Sequence, residues 1–154
     1  MLTTAAAPQP FASENTCEHM AQQIITALQK ASPDAYVALF PSIVEFHALM
    51  DENVNVYGET LQEAKKEFAA RYENDILPLV KKSFTSVLQE GSKKGIAWSQ
   101  INFEGVECST PGKTLSSVSF TIVFSANSKQ YRLTIGKAFV IHGEWKVSTE
   151  ISLI

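Results

Sequence analysis

Apolar residues recur every three to four positions up to about residue 90 and every second position beyond it, so the chain reads as helices followed by strands. Cys17, Met20, Ala21, Ile24 and Leu28 form one helical stripe, and Asn15 with Glu18 reads as a capping box, which predicts a helix over about 15–30. Ser32-Pro33-Asp34 offers an N-cap, a proline in the first turn and an early acid, so a second helix starts there. Its apolar members are Tyr36, Val37, Leu39 and Phe40, and Pro41 ends it. Ser42 and Glu45 form a new capping box at once, after which Ile43, Phe46, His47 and Met50 share a face. Asp51 to Gly58 alternates polar residues with Val54 and Val56 and reads as a loop or one short edge strand. Thr60 with Glu63 then caps the strongest signal in the chain. Leu61, Ala64, Phe68, Tyr72, Ile76, Val80, Phe84 and Val87 keep one face apolar, with Gly91 as the stop. Pro78 removes the bond to the Asn74 carbonyl, which predicts a bend or a break into two helices.

Beyond Gly95 the period is two. Ile96 to Phe103 is aromatic and β-branched, and Val118, Phe120, Ile122 and Phe124 alternate with small hydroxyl residues. Tyr131, Leu133 and Ile135 alternate likewise, as do Trp145, Val147, Thr149 and Ile151. Short turns join these runs into an antiparallel four-strand meander. If His142-Gly143 is a two-residue type I′ loop, Ala138 and Val140 share the core face, and a bulge at Gly136-Lys137 must switch the parity after Ile135. Phe139 and Ile141 then fall on the outer face, as an apolar patch for a partner or a second copy of the chain.

At 154 residues, with 45% hydrophobic positions, the chain suits a single domain that packing alone can stabilise. We read residues 1–14 as a flexible tether and 15–154 as one α+β domain. The net charge of −3 is spread through the sequence, and neither half offers the basic field that nucleic acid requires. No apolar run reaches the roughly 20 residues that span a bilayer. Ala5-Ala6-Ala7 before Pro8 and Pro10 resembles the tether downstream of a cleavage or lipid-attachment site. That favours an exported protein, periplasmic, lipid-anchored or secreted, with a cytoplasmic home left open. Cys17 and Cys108 either pair across the chain or stay as two small buried thiols, the commoner outcome for such a pair.

Helices at 15–50, a long helix at 60–90 and a meander at 95–154 give a layer of helices on one face of a curved antiparallel sheet. This order, with the closing hairpin FVIHGEWKVSTEIS, resembles the cystatin-like folds and, within them, the nuclear transport factor 2-like superfamily. That superfamily includes ketosteroid isomerase and polyketide cyclase relatives. It usually has a strand pair before the long helix, for which only Val54 to Tyr57 could stand in here. Its enzymes place an Asp or His and a Tyr in the cone between sheet and helices, but no motif carries those roles onto this chain.

His47 is the weak catalytic candidate, since it is the sole histidine on an apolar face; a neutral base there would need a carboxylate to orient it. His19 and His142 read as exposed. Tyr36, Tyr72, Trp98 and Tyr131 join His47 as candidates to line a pocket with their polar ends toward a guest, a role that core residues with wet tips do not need. Glu104 and Glu107 near the end of the first strand are weaker general-base candidates. No metal motif and no cofactor motif occurs. The leading expectation is a non-catalytic domain that holds a small apolar ligand or a protein partner in the cone or on the outer sheet face. A homodimer through the sheet is a further expectation. The alternative is an isomerase or cyclase using His47 with a pocket tyrosine.

Overall fold

The computed structural model describes residues 13–108, 116–141 and 143–154. Most of the expected tether therefore lies outside the described residues, as does His142. Helix α1 (Ser13–Gln29) is followed by α2 (Pro33–Val37), α3 (Ile43–Glu52), α4 (Val54–Tyr57), α5 (Leu61–Arg71) and α6 (Leu77–Lys93). Strands β1 (Asn102–Cys108), β2 (Ser116–Ala126), β3 (Lys129–Ile141), β4 (Glu144–Lys146) and β5 (Glu150–Leu153) complete the chain. The helices pack on a curled antiparallel meander, an α+β architecture.

Local chemistry accounts for the starts of α2 and α3. The Ser32 hydroxyl accepts from the Ala35 amide at 3.1 Å, and Pro33 occupies the first turn, where its missing N–H is harmless. Ser42 and Glu45 close the expected capping box, with the Ser42 amide donating to Glu45 Oε1 at 2.8 Å. Asn15 lies within α1, so it is not the residue before the first turn. Thr60 makes no cap either; its hydroxyl donates to the Tyr57 carbonyl at 2.6 Å.

The segment 51–58 is neither loop nor strand. It continues α3 and folds into the single turn α4, because Asn53 turns back on α3, its amide and side chain both bonding the Leu49 carbonyl. The long apolar stripe is interrupted, as Pro78 requires, by a π-helical segment, Tyr72–Ile76, in which the Leu77 amide reaches five residues back to the Tyr72 carbonyl. Gly91 is not the stop. It lies inside α6, and the helix ends at Gly95 (φ +87°), where Gly95 N–H bonds the Ser92 carbonyl and Ile96 N–H the Gly91 carbonyl. This is a Schellman closure.

Ile96 to Ile101 does not pair into the sheet, despite its strand-like composition. It forms a turn and a single 3-10 turn, Trp98–Gln100, that sets the Trp98 indole against the bare backbone of Gly91. Pairing begins only at Asn102.

The Gly136-Lys137 bulge forms as the parity required. Val118 faces Ala138 while Phe120 faces Ile135, and Lys137 takes φ +49°. Val140 lies opposite Trp145, so Ala138, Val140, Trp145 and Val147 are all buried on the inner face. The last strand is broken into β4 and β5, both paired with β3, and Ser148 at the break donates to the Gly136 carbonyl. The inner face meets Cys17, Ala21, Ile24 and Leu28 of α1 and Val80, Phe84 and Val87 of α6 in one core. Phe139 and Ile141 do point away from that face, but the expected outer patch is not open to solvent. Ile141 is only 4% exposed, and Phe139 packs edge-on against Phe40 and Phe46 at the α2–α3 corner.

Cys17 and Cys108 form a disulfide, which corrects the expectation of two free thiols. The covalent link ties α1 to the end of β1.

Candidate functional site

Tyr36, Tyr72, Trp98 and Tyr131 line neither of the two concavities described below. Tyr36 is fully buried, stacks on Phe84 at 4.9 Å and donates its hydroxyl to the Ser148 carbonyl at 2.9 Å. Burial pushes that hydroxyl well above the ordinary tyrosine range. Tyr72 donates to the Pro41 carbonyl at 2.7 Å; burial, with Glu45 and Glu73 nearby, raises it as well. Trp98 donates from Nε1 to the Leu88 carbonyl at 2.9 Å, and Tyr131 stacks on Phe124 at 5.6 Å. Three polar tips thus latch one element to another: α2 to the β4–β5 break, the π segment to the α2–α3 corner, and the turn after α6 back to that helix. Each gives a polar tip at or near the core a backbone acceptor.

His47 is half-buried on α3, and its Nε2 lies 3.3 Å from the Lys65 carbonyl of α5. It therefore joins two helices through backbone. Glu104 accepts from the Ser125 hydroxyl at 2.7 Å and Glu107 pairs with Arg132 at 3.2 Å, both as exposed cross-strand contacts. His19 is exposed. Among the described residues, no group of three or more His, Cys, Asp or Glu is placed to hold a metal ion. Among the same residues no helix is long and apolar enough to cross a membrane.

The space between sheet and helices is filled by side chains. Phe84, Phe120, Phe124, Trp145 and Ile122 are buried there, and Phe120 meets Trp145 edge-on at 5.7 Å. Among the described residues, an apolar concavity lies elsewhere, on the helical arm formed by α3, α4 and α5. No residue of these three helices is fully buried. Between them runs a groove of about 210 Å³ lined by Phe46, Leu49, Met50, Asn53, Tyr57 and Phe68. Its floor is fixed by an aromatic cluster in which Phe46 stands 4.9 Å from Phe68 and 6.0 Å from Tyr72. Val54 and Val56 of α4 are 45% and 79% exposed.

The arm is anchored at its base by Glu45. Partial burial works to raise the Glu45 carboxyl, but the Ser42 amide and the Lys146 ammonium at 3.2 Å outweigh it and hold it below its ordinary value. A second depression, of about 560 Å³, lies beside the π segment between Asp34, Val37, Glu73, Leu77 and Lys81. Its charges are solvated, with Asp34 86% exposed and bonded to Lys81 at 3.2 Å, so they offer a guest little.

Of the groove residues, only Phe46 and Met50 were placed on a common face by the sequence pattern. No single period links Phe46 and Met50 to Tyr57, because Asn53 leaves helical geometry (φ −110°, ψ 34°) and Tyr57 reaches the groove from the separate turn α4. No protein-family model, no curated protein and no solved structure matches this chain.

Proposed function

We propose that the protein is a non-catalytic binding domain whose site is the apolar groove of the helical arm. The observation that carries this reading is the pairing of a well-packed sheet–helix interior with an open apolar concavity among three helices that bury no residue fully. Groove residues Leu49 and Met50 are flexible enough to adapt to a guest, while the Phe46–Phe68 contact keeps the floor in place. The isomerase or cyclase alternative draws no support from the geometry, because the hydroxyls of Tyr36 and Tyr72 are engaged with backbone carbonyls and His47 bonds to Lys65. Kinship with the nuclear transport factor 2-like group rests on element order alone. Export is supported by the Cys17–Cys108 disulfide, a bond that persists in oxidising compartments.

Nile red, an uncharged dye that brightens in apolar sites, tests the groove. The expected result is saturable binding to the native protein that Leu49→Asp abolishes while the circular dichroism spectrum stays native. Saturable binding that survives Leu49→Asp would place the site elsewhere.

A further inference from the structure

We propose that the occupant of the arm groove is a small neutral phenol, one aromatic ring bearing one hydroxyl. This rests on the groove being the binding site and adds the chemistry of the ligand.

The lining sets the charge and the body of that ligand. Its six residues, Phe46, Leu49, Met50, Asn53, Tyr57 and Phe68, carry no charge at neutral pH. Asp51, next to Met50, and Lys65, one turn before Phe68, are bound to each other. An ion entering the groove would shed water against carbon with no opposite charge to meet it, a cost that apolar contact does not restore. A neutral molecule escapes that cost. Three of the six side chains are aromatic, and the Phe46 and Phe68 rings stand 4.9 Å apart with their planes 58° from parallel. Rings tilted in this way let a flat guest stack on one and stand edge-on to the other, and a thioether such as that of Met50 also favours a ring edge.

Size and the polar residues narrow it further. The volume of about 210 Å³ falls short of the roughly 300–1,000 Å³ that drug-sized ligands occupy. At about 30 Å³ for each water-sized group it holds about seven groups, the size of one substituted ring. Asn53, at the end of α3, and Tyr57, in α4, are the polar members of the lining. The Asn53 side chain gives an N–H to the Leu49 carbonyl at 2.7 Å, which leaves its Oδ1 as an acceptor, and the Tyr57 hydroxyl accepts as well as donates. A hydroxyl on the ring answers to both. A guest without one would displace their water and give no hydrogen bond in return.

Displacement of Nile red by a matched set of ring compounds tests this. The probe of the proposed chemistry is p-cresol. Its three controls are p-xylene, in which a methyl group replaces the hydroxyl, 4-methylcyclohexanol, which lacks the aromatic ring, and p-toluate, an anion. The expected result is that p-cresol binds about threefold more tightly than p-xylene and about twofold or more over 4-methylcyclohexanol, with p-toluate ineffective at the same concentration. A merely greasy surface would favour p-xylene, the more apolar of that pair. Tyr57→Phe, which keeps the ring, should abolish the preference for p-cresol while the circular dichroism spectrum stays native. The order of ligands on the native protein decides the matter even where that variant fails to fold. Binding of p-xylene as tight as that of p-cresol would overturn the hydroxyl assignment, and so would a preference that survives in folded Tyr57→Phe. Equal competition by p-toluate would overturn neutrality, and 4-methylcyclohexanol binding as tightly as p-cresol would overturn the aromatic ring. If none of the four competes while Nile red still binds and Leu49→Asp still abolishes it, the ligand class falls and the groove remains. Failure of the dye as well would remove both.

Discussion

Gly91 shows how a single residue answers to two demands at once. A Cβ there would fall onto the Trp98 ring, 2.7 Å from Cε2 and closer still to Cζ2. The indole cannot swing aside, since its Nε1 is bonded to the Leu88 carbonyl and its face meets Phe124 at 5.8 Å. Alanine would gain about 1 kcal/mol of helix propensity, but overpacking costs about 1–3 kcal/mol. Gly91→Ala should therefore lower stability in urea denaturation, and a gain would mean that Trp98 is not held as described. The sequence pattern offered Gly91 as a helix stop because glycine punctuation is local, whereas the Trp98 contact depends on where the following turn lands. Glu45 was the opposite case, its bond with Ser42 legible because the two lie only three residues apart. Its carboxyl is held low in the folded state, so the stability it contributes is present above the unfolded value of about 4.3 and disappears as pH falls through the lower folded value. The stability gap between native protein and Glu45→Gln should be widest near pH 7 and close toward pH 3. A gap independent of pH would contradict this.

At the scale of elements, periodicity located α1, α6, β2 and β3 because each buries one face against the core, and burial is what writes a period into a sequence. The bulge in β3 was legible for the same reason: without it Lys137 would point inward. Two stretches misled. Ile96 to Ile101 has strand composition, yet its bulky residues fill the gap between α6 and the sheet edge, and tertiary packing overrides β propensity there. Asp51 to Tyr57 buries nothing fully, so neither period is enforced and its helical turn left a weak trace. The disulfide was not legible at all, because Cys17 and Cys108 are 91 residues apart and only the docking of α1 on β1 brings them together. Closing a loop of that length contributes on the order of 4–5 kcal/mol through the unfolded chain. Replacing both cysteines by serine should lower the midpoint of thermal unfolding substantially, and treatment of the native protein with reductant should reproduce that shift. An unchanged midpoint would show that the bond does not form.

For the whole molecule, the division is between a filled sheet–helix body and a helical arm that buries little and carries an apolar groove. The fold class was readable from the change of period near Gly95. The site was not, because a groove is made by the spacing between helices, and sequence patterns report only which side of each helix faces inward. The three methionines, Met1, Met20 and Met50, give a direct test, since Met20 is 7% exposed in the core and Met50 lines the groove. With methyl-labelled methionine, Nile red should shift the Met50 resonance in proportion to occupancy and leave Met20 in place. A shift of Met20 with Met50 unmoved would put the ligand inside the body and contradict the assignment of the arm as the binding surface.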